Sequence, residues 1–233
     1  MKKIITFFIF ALSISIYSQI KGVTDEGKDV VLFDNGTWKF VNESDKETLE
    51  TITTNPTIFV KNDSATFLLR SKVLDVGVFY NAKKWKIAKR SPNRITEYIL
   101  TDTKFPDEGF ALMMTEKVKI PTLKNLKEII ISGIQRNVDF FRLKESEYRT
   151  VNGLKVLCLH YIANTKGIDF EYLGYYQISD EGYCGVATFA LMKDFDKFQP
   201  QFEEFLNGFS AVKKDEIKQE IIYSNPPPPM KPK

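Results

Sequence analysis

Three β-strand segments joined by two short turns fill residues 151–190, and a segment with a stripe of phenylalanines follows them directly. We predict the turns at 164–167 and 179–182, where Asn, Asp, Ser and Gly cluster. Turns this short join antiparallel neighbours, so the three segments form a meander. The apolar positions that follow have helical spacing; they are Phe195, Phe198, Phe202, Phe205, Leu206 and Phe209. We therefore expect a helix that packs on the meander and ends at Gly208, a residue that suits a left-handed cap.

A second helix is predicted after Thr122, whose side chain suits an N-cap. Its apolar residues are spaced three or four apart and form one buried stripe: Leu123, Leu126, Ile130, Ile134, Val138 and Phe141. Gly133 inside this helix costs about 1 kcal/mol relative to alanine, which indicates a close approach of helix and sheet. Extended segments precede the helix at residues 76–80, 85–88, 96–100 and 109–115. The predicted fold class is α+β, an antiparallel β-sheet packed against two main helices and preceded by a small β-hairpin.

The predicted hairpin is centred on Asn35-Gly36, a dipeptide typical of tight hairpin turns. Trp38 beside it either covers the hairpin against the main domain or stacks on a carbohydrate. The polar segment that follows indicates a linker. The predicted organisation is a signal peptide (1–18), an N-terminal β-hairpin (19–42), a linker (43–57), an α+β domain (58–212) and a C-terminal tail with a proline-rich end (213–233).

The first eighteen residues have the pattern of a cleaved secretory signal: Lys2 and Lys3, an apolar run, then Ser18-Gln19. The apolar run is shorter than the roughly 20 residues that a spanning helix needs, although an uncleaved anchor is the alternative. The segment has no cysteine near residue 18 for lipid attachment. We expect an exported protein, periplasmic or secreted, with no stable membrane anchor after signal cleavage.

Charge argues against a nucleic-acid partner. Removing residues 1–18 takes away two lysines and no acids, which lowers the formal charge from +3 to +1. A nucleic-acid surface needs a basic patch, and the basic cluster Lys83, Lys84, Lys86, Lys89 and Arg90 is more typical of a solvated strand edge.

Residues of about 75–212 resemble the Mog1/PsbP-like fold, which also occurs in bacterial domains of unknown function related to the DcrB group. The resemblance rests on the segments FYNAKKWKI (79–87), VNGLKVL (151–157) and FEEFLNGF (202–209), together with the order of strands and helices. It implies an antiparallel sheet with helices packed on it, in a family of mostly non-catalytic binding, chaperone or accessory proteins. It implies no catalytic residues.

The residues themselves predict no catalytic, metal or cofactor site. Cys158 and His160 share a face of one strand, but their Cα atoms lie roughly 6.5 Å apart, too far for a nucleophile and its base unless the backbone bends. A neutral, hydrogen-bonded histidine is the alternative. The chain has one histidine and two cysteines, without CxxC or HExxH spacing or a Gly-rich loop that opens a helix.

The two cysteines are predicted to be free and buried rather than disulfide-bonded. The turn positions place Cys158 opposite about residue 174, and residue 174 opposite about residue 187. Cys184 would then lie across an intervening strand, about 9.6 Å sideways, whereas a disulfide needs Cα atoms closer than about 7 Å.

Five tyrosines crowd the meander and are the candidate binding residues: Tyr161, Tyr172, Tyr175, Tyr176 and Tyr183. Neighbours on a strand point to opposite faces, so Tyr175 and Tyr176 must lie on different sides of the sheet. An exposed cluster would bind a ligand or protein; cross-strand pairs that stabilise the sheet are the alternative.

The sequence therefore predicts an exported, non-catalytic binding or accessory module of the cell envelope, whose partner is an unknown envelope protein or small ligand. The alternative is an envelope hydrolase that uses carboxylates of the meander loops, namely Asp169, Glu171, Asp180 and Glu181. The proline run at 226–229 predicts an extended polyproline II segment, either unattached or docked on another envelope component.

Overall fold

The computed structural model describes residues 20–25, 27, 29–32, 36–40, 48, 50–88 and 95–212. The predicted signal peptide, most of the predicted linker, Lys89, Arg90 and the C-terminal tail lie outside these residues. Among the described residues, neither helix combines the length and the apolar character that crossing a bilayer requires.

The strands form three sheets. The first contains β1 (Ile20–Val23), β2 (Asp29–Leu32) and β3 (Trp38–Phe40). The central sheet has eight strands: β4 (Thr53–Phe59), β7 (Trp85–Ile87), β8 (Thr96–Asp102), β9 (Phe110–Glu116), β10 (Phe140–Val151), β11 (Leu154–Thr165), β12 (Ile168–Ile178) and β13 (Tyr183–Leu191), in the order β4-β10-β11-β12-β13-β9-β8-β7. The third contains β14 (Phe209–Ala211), β6 (Val76–Tyr80) and β5 (Phe67–Arg70).

The predicted α+β class and the predicted meander are confirmed. Strands β11, β12 and β13 are consecutive antiparallel neighbours. Lys166 and Gly167 adopt positive φ angles of 54° and 79° in the first turn, as a tight hairpin requires. The N-terminal hairpin is confirmed too, with Leu32 opposite Trp38, and β1 extends it to three strands.

Helix α1 (Leu123–Gln135) begins at Thr122, whose hydroxyl accepts a hydrogen bond from the Asn125 backbone N–H at 3.1 Å. The predicted extension of the helix to Val138 and Phe141 is wrong. The Asn137 side-chain amide donates to the Gly133 carbonyl at 2.7 Å and closes the helix end, so that β10 begins at Phe140.

The buried side of α1 consists of Leu123, Leu126, Lys127 and Ile131, whereas Ile130 and Ile134 are only half-buried. The predicted close approach at Gly133 is also wrong. Among the described residues, no heavy atom outside its immediate chain surroundings lies within 4 Å of a Cβ built there.

Helix α2 (Phe195–Leu206) carries the predicted phenylalanine stripe, and Phe195, Phe198, Phe202 and Phe205 are buried. Gly208 after this helix does not have the predicted left-handed conformation. It is required for a different reason: a Cβ there would lie 1.8 Å from the Phe79 carbonyl oxygen.

Residues 53–57 were expected in the linker, but they belong to β4, which pairs in parallel with β10 at the edge of the central sheet. Proline is tolerated in an edge strand, which explains why Pro56 does not prevent this pairing. The α+β domain therefore begins several residues before position 58.

The two faces of the central sheet are covered differently. We call the side on which α1 packs face A; it carries Leu157, Leu159 and Tyr176. The opposite side, face B, carries Val156, Cys158 and Val186 and is covered by α2 and the β14-β6-β5 sheet. Helix α1 packs mainly on β10, β11 and β12, and β13 and β9 contribute only half-buried residues, Tyr183 and Met114, to the cluster around it.

Candidate functional site

Four aromatic rings form a ladder across the central sheet on face A. Tyr161 lies opposite Tyr172, Tyr172 opposite Phe189, and Phe189 opposite Phe110. The successive ring centroids are 4.9, 5.0 and 5.0 Å apart, with interplanar angles of 7°, 24° and 16°. Neighbouring strands are about 4.8 Å apart, so the rings stack at the spacing of the strands. We call these four residues the aromatic stripe.

The aromatic stripe passes from the helix-covered half of face A to the open half. Tyr161 is buried next to Phe141, whereas Tyr172, Phe189 and Phe110 are half-buried. Burial along β9 alternates: its face-B residues are buried, and its face-A residues, including Leu112 and Met114, are half-buried. The open half of face A therefore presents an apolar, aromatic surface that the described elements cover only in part.

Tyr176 packs against the backbone of the central sheet on face A, beside the aromatic stripe. Its ring lies over two glycines, because a Cβ built on Gly174 or Gly185 would come within 2.9 and 2.7 Å of ring atoms. It is fully buried and hydrogen-bonded to Tyr161, and burial raises the pKa of both phenols well above the usual value. Tyr176 is thus a structural support of the stripe.

Four of the five predicted tyrosines lie on face A and only Tyr175 lies on face B, in agreement with the alternation along β12. Tyr161, Tyr175 and Tyr176 are buried and offer almost no surface. Tyr172 and Tyr183 are half-buried. Tyr183 donates to a Glu116 carboxylate oxygen at 3.0 Å, and burial together with this carboxylate raises its pKa to about 12. Ligand binding by the tyrosines stays a prediction, and only these two have accessible rings.

Phe110 and Phe189 were missed as site residues. Both occur in predicted extended segments, but only the pairing of β13 with β9 brings them into line with Tyr172. No signal within either segment gives that register, since it depends on strands that are distant in sequence.

Polar groups on face B are hydrogen-bonded to one another. Arg149 Nη1 donates to the Tyr175 hydroxyl at 2.9 Å, and that hydroxyl donates to Asn207 Oδ1 at 3.0 Å. The guanidinium also contacts the buried Glu147 carboxylate, which accepts a further hydrogen bond from Asn55 at 3.3 Å. Such a chain of satisfied partners is typical of a structural network.

His160, the chain's one histidine, belongs to a second polar group on face B. Its Nε2 lies 2.6 Å from Glu171 Oε1, and the Lys144 ammonium lies 2.6 Å from the same oxygen. A β-bulge between Leu143 and Glu145 places Lys144 there. Burial, followed by the charge of Lys144, lowers the pKa of His160 despite the carboxylate. The imidazole stacks on Phe195 with centroids 5.2 Å apart, which fits a neutral ring.

The two cysteines are free and buried. Cys158 lies opposite Tyr175, one residue from its expected partner, whereas Gly174 lies opposite Ala187 as expected. Burial raises the pKa of both thiols well above the usual value. They therefore stay protonated, and a protonated thiol is a poor nucleophile.

The loop carboxylates expected for a hydrolase do not converge. Asp169 and Glu171 lie at the beginning of β12, whereas Asp180 and Glu181 lie in the turn after its end. The strand between Glu171 and Asp180 separates them by about 30 Å, whereas glycosidase carboxylates lie about 5 to 9.5 Å apart.

Two open cavities lie away from the stripe. One, of about 630 Å³, lies between the end of β1 and the end of α1 and is lined by Asp25, Arg136 and Asp139. The other, of about 560 Å³, lies between residues 60–63 and the second half of α2, where Glu204 pairs with Lys84 at 2.5 Å. Asp25 and Asp139 are both exposed, whereas a carboxylic acid that works as a general acid is normally buried.

Comparison with solved structures supports the resemblance in fold. The solution structure of cyanobacterial PsbP (CyanoP) from Synechocystis matches with a TM-score of 0.51 and 11% identity, over 65% of this chain and 95% of that one. Protein PA94 of unknown function from Pseudomonas aeruginosa matches with a TM-score of 0.43 and 9% identity, over 63% of this chain and 97% of that one. LpqN of Mycobacterium tuberculosis, involved in cell envelope biogenesis, matches with a TM-score of 0.42 and 12% identity, over 59% of this chain and 83% of that one.

No family model matches the chain, and no curated protein matches it. The chain has a PsbP/Mog1-like fold at weak sequence identity, as the resemblance of its packing residues implied. At this identity the likeness concerns the fold alone.

Proposed function

We propose that the protein is an exported, non-catalytic binding or accessory module of the bacterial cell envelope, and that it binds through the aromatic stripe. The observation that carries this proposal is the half-buried state of Tyr172, Phe189 and Phe110 on face A, where Phe189 and Phe110 lie on β13 and β9, outside the three strands on which α1 mainly packs. The pattern of residues 1–18 supports export.

An apolar sheet face normally packs against another layer, and an open one marks an interaction surface. Aromatic residues contribute most to such surfaces because they bury a large area and lose little conformational entropy. On face B, by contrast, the ionisable groups already bind one another beneath α2. The partner is therefore an envelope protein or small ligand that presents an apolar or aromatic-binding surface.

Export is tested by fractionating bacteria that produce the full chain with a C-terminal tag. We expect a processed protein with Gln19 at its N-terminus, in the periplasm or the medium. Recovery of the uncleaved chain from the cytoplasm or the membrane would contradict export.

Binding is tested by chemical cross-linking in envelope extract, followed by identification and titration of the captured partner. Phe189→Ser removes a ring from the centre of the stripe, and Ile129→Ser is the matched control, since Ile129 is 49% exposed on α1. We expect a loss of affinity of about 10- to 30-fold for Phe189→Ser, as for an interface hot spot, and wild-type affinity for the control. Equal affinities of the two variants would contradict the site.

The hydrolase alternative gains no support from the geometry. Its four carboxylates divide between the two ends of β12, and His160 is stacked on Phe195 beneath α2. We therefore do not propose it as a second function.

A further inference from the structure

The cavity of about 630 Å³ lies where the three-stranded N-terminal sheet meets the end of α1 and the beginning of β10. The segment after β1 forms one wall with Asp25, and the last turn of α1 forms a second wall with Gln135 and Arg136. The third wall is the segment that leads into β10, with Asp139 and Phe140. Ligand pockets typically have volumes of about 300 to 1,000 Å³, so the cavity can hold a small molecule.

Backbone contacts hold the three walls together. Gly27, in the turn after β1, has a φ angle of 75°, and its N–H donates to the Thr24 carbonyl at 2.8 Å. A Cβ built on Gly27 would lie 1.6 Å from the Phe141 carbonyl oxygen, so this turn rests directly on the backbone of β10. The Asp139 N–H donates to the Asn164 carbonyl at 2.8 Å, which fixes the third wall to β11. The fold itself therefore forms the cavity, as is usual for small-molecule sites.

Charged groups of both signs line the cavity and are available to a ligand. Arg136 donates from Nε to the Ser132 carbonyl at 3.1 Å, and its two terminal nitrogens have no partner among the described residues. The exposed Asp25 carboxylate accepts no hydrogen bond within the described part of the chain. Asp139 uses only Oδ2, which accepts from the Lys166 N–H at 2.7 Å. The cavity thus offers one guanidinium and two carboxylates.

The lining also includes an unpaired buried donor and an apolar wall. Gln135 Nε2 is buried and has no hydrogen-bond acceptor among the residues that the structure describes. A buried donor without an acceptor costs free energy, which an oxygen atom of a ligand would recover. Val138 and Phe140 add apolar surface, and Phe140 is 36% exposed. These groups suit a ligand that combines charges of both signs with a carbonyl oxygen and an apolar group.

We propose that this cavity is a second binding site, which takes a short peptide or an amino acid with a free ammonium and a free carboxylate group. Arg136 binds the carboxylate, because a guanidinium presents parallel N–H donors that match its two oxygens. Asp25 and Asp139 bind the ammonium group, Gln135 donates to a carbonyl oxygen, and the apolar wall contacts the ligand side chain. The proposal does not depend on the aromatic stripe.

The test is a calorimetric titration of the full chain with L-leucyl-L-leucine and with L-leucine. Two blocked forms of the dipeptide are titrated in parallel, one acetylated at its amino end and one amidated at its carboxyl end. We expect each blocked form to bind about 10-fold more weakly than the free dipeptide, because each lacks one charge. Tighter binding of the dipeptide would identify peptides as the ligand, and tighter binding of leucine would identify amino acids. Equal binding of free and blocked forms, or no binding of either free form at millimolar concentration, would overturn the proposal.

A first pair of variants tests the carboxylate contact. Arg136→Gln should weaken dipeptide binding about 10-fold and abolish the preference for the free over the amidated form. Lys119→Gln is the matched control, since Lys119 is exposed and lies before the opposite end of α1. It should bind like the wild type. Wild-type affinity of Arg136→Gln would overturn the proposal.

A second pair of variants tests the ammonium contact. Asp25→Asn should reduce the preference for the free over the acetylated dipeptide, whereas Asp29→Asn, an exposed position on β2 outside the cavity lining, should retain it. An unchanged preference in Asp25→Asn would overturn the proposal. Phe189→Ser on the aromatic stripe should bind the dipeptide like the wild type, so either site can fail while the other stands. A loss of dipeptide affinity in this variant would place the dipeptide on the stripe and overturn the cavity site.

Discussion

The two faces of the central sheet use aromatic residues in different ways. On face B, the phenylalanines of α2 fill the space above the sheet, and Phe195, Phe202 and Phe205 are almost inaccessible to solvent. On face A, the rings of Phe110, Tyr172 and Phe189 stack on one another instead, and remain half-buried. Among the described residues, helix α1 packs mainly on three of the eight strands of the central sheet, β10, β11 and β12.

This difference separates structural residues from candidate binding residues. If burial were the only criterion, the polar networks of face B would be the candidate functional site, because buried titratable groups often occur in active sites. Their partners, however, are all internal, as in the contact of Arg149 with Tyr175. A surface that stays half-buried after folding is the better candidate for a binding site. Here that surface is the aromatic stripe, which consists of aromatic rings and not of charged groups.

We expect the largest difference between the two faces in the loss of stability when one aromatic ring is removed from each. Phe202→Ala on face B should lower the free energy of unfolding by about 3 to 5 kcal/mol, because it leaves a cavity in a sealed core. Phe189→Ala on face A should lower it by about 1 to 2 kcal/mol, since its ring is already half in water. Urea denaturation measures both. Equal losses would show that face A is sealed as tightly as face B.

Two glycine variants compare how closely α1 and the end of α2 are packed. Gly208→Ala after α2 should destabilise the protein by about 2 to 3 kcal/mol, because the new Cβ collides with the Phe79 carbonyl. Gly133→Ala in α1 should stabilise it by up to about 1 kcal/mol, because the added methyl group meets open space and alanine favours the helix. Thermal unfolding shows whether each variant is more or less stable than the wild-type protein. A destabilising Gly133→Ala would mean that α1 is packed as closely as α2.

The smallest expected effect is the pH dependence contributed by face B. The pKa of His160 is lowered in the folded state by burial and by Lys144, so the unfolded chain binds more protons as the pH falls below about 6.5. Stability should therefore decrease from pH 7 towards the folded-state pKa of His160. His160→Gln should have a flatter profile in this window, measured by urea denaturation at several pH values. A steeper profile in the variant would reverse the assigned sign. Glu145, which lies opposite His160, is present in both proteins and cancels in the difference.

Much of the fold was predictable because local signals agreed with one another. The turn at Lys166-Gly167 and the phenylalanine spacing of α2 each determine one element without help from the rest of the chain. The end of α1 was not predicted, because Val138 and Phe141 continue the helical spacing by coincidence. Asn152-Gly153, a strong hairpin signal, would have indicated the preceding strand β10.

The remaining differences depend on contacts between distant residues. Strand β4 has the composition of a linker, and its pairing with β10 is supported by the contact of Asn55 with Glu147. The tyrosines of the site were predictable from their density in the meander. The contributions of Phe110 and Phe189 required the register between β13 and β9, which a single sequence does not provide.

The central claim is that the aromatic stripe is the binding surface of the protein. The most direct measurement is an NMR titration of the full chain with the partner that cross-linking captures in envelope extract. The account predicts chemical-shift changes at Phe110, Tyr172 and Phe189 that disappear when Phe189→Ser is added and persist when Ile129→Ser is added. Changes confined to other surfaces, or no changes at all, would contradict it.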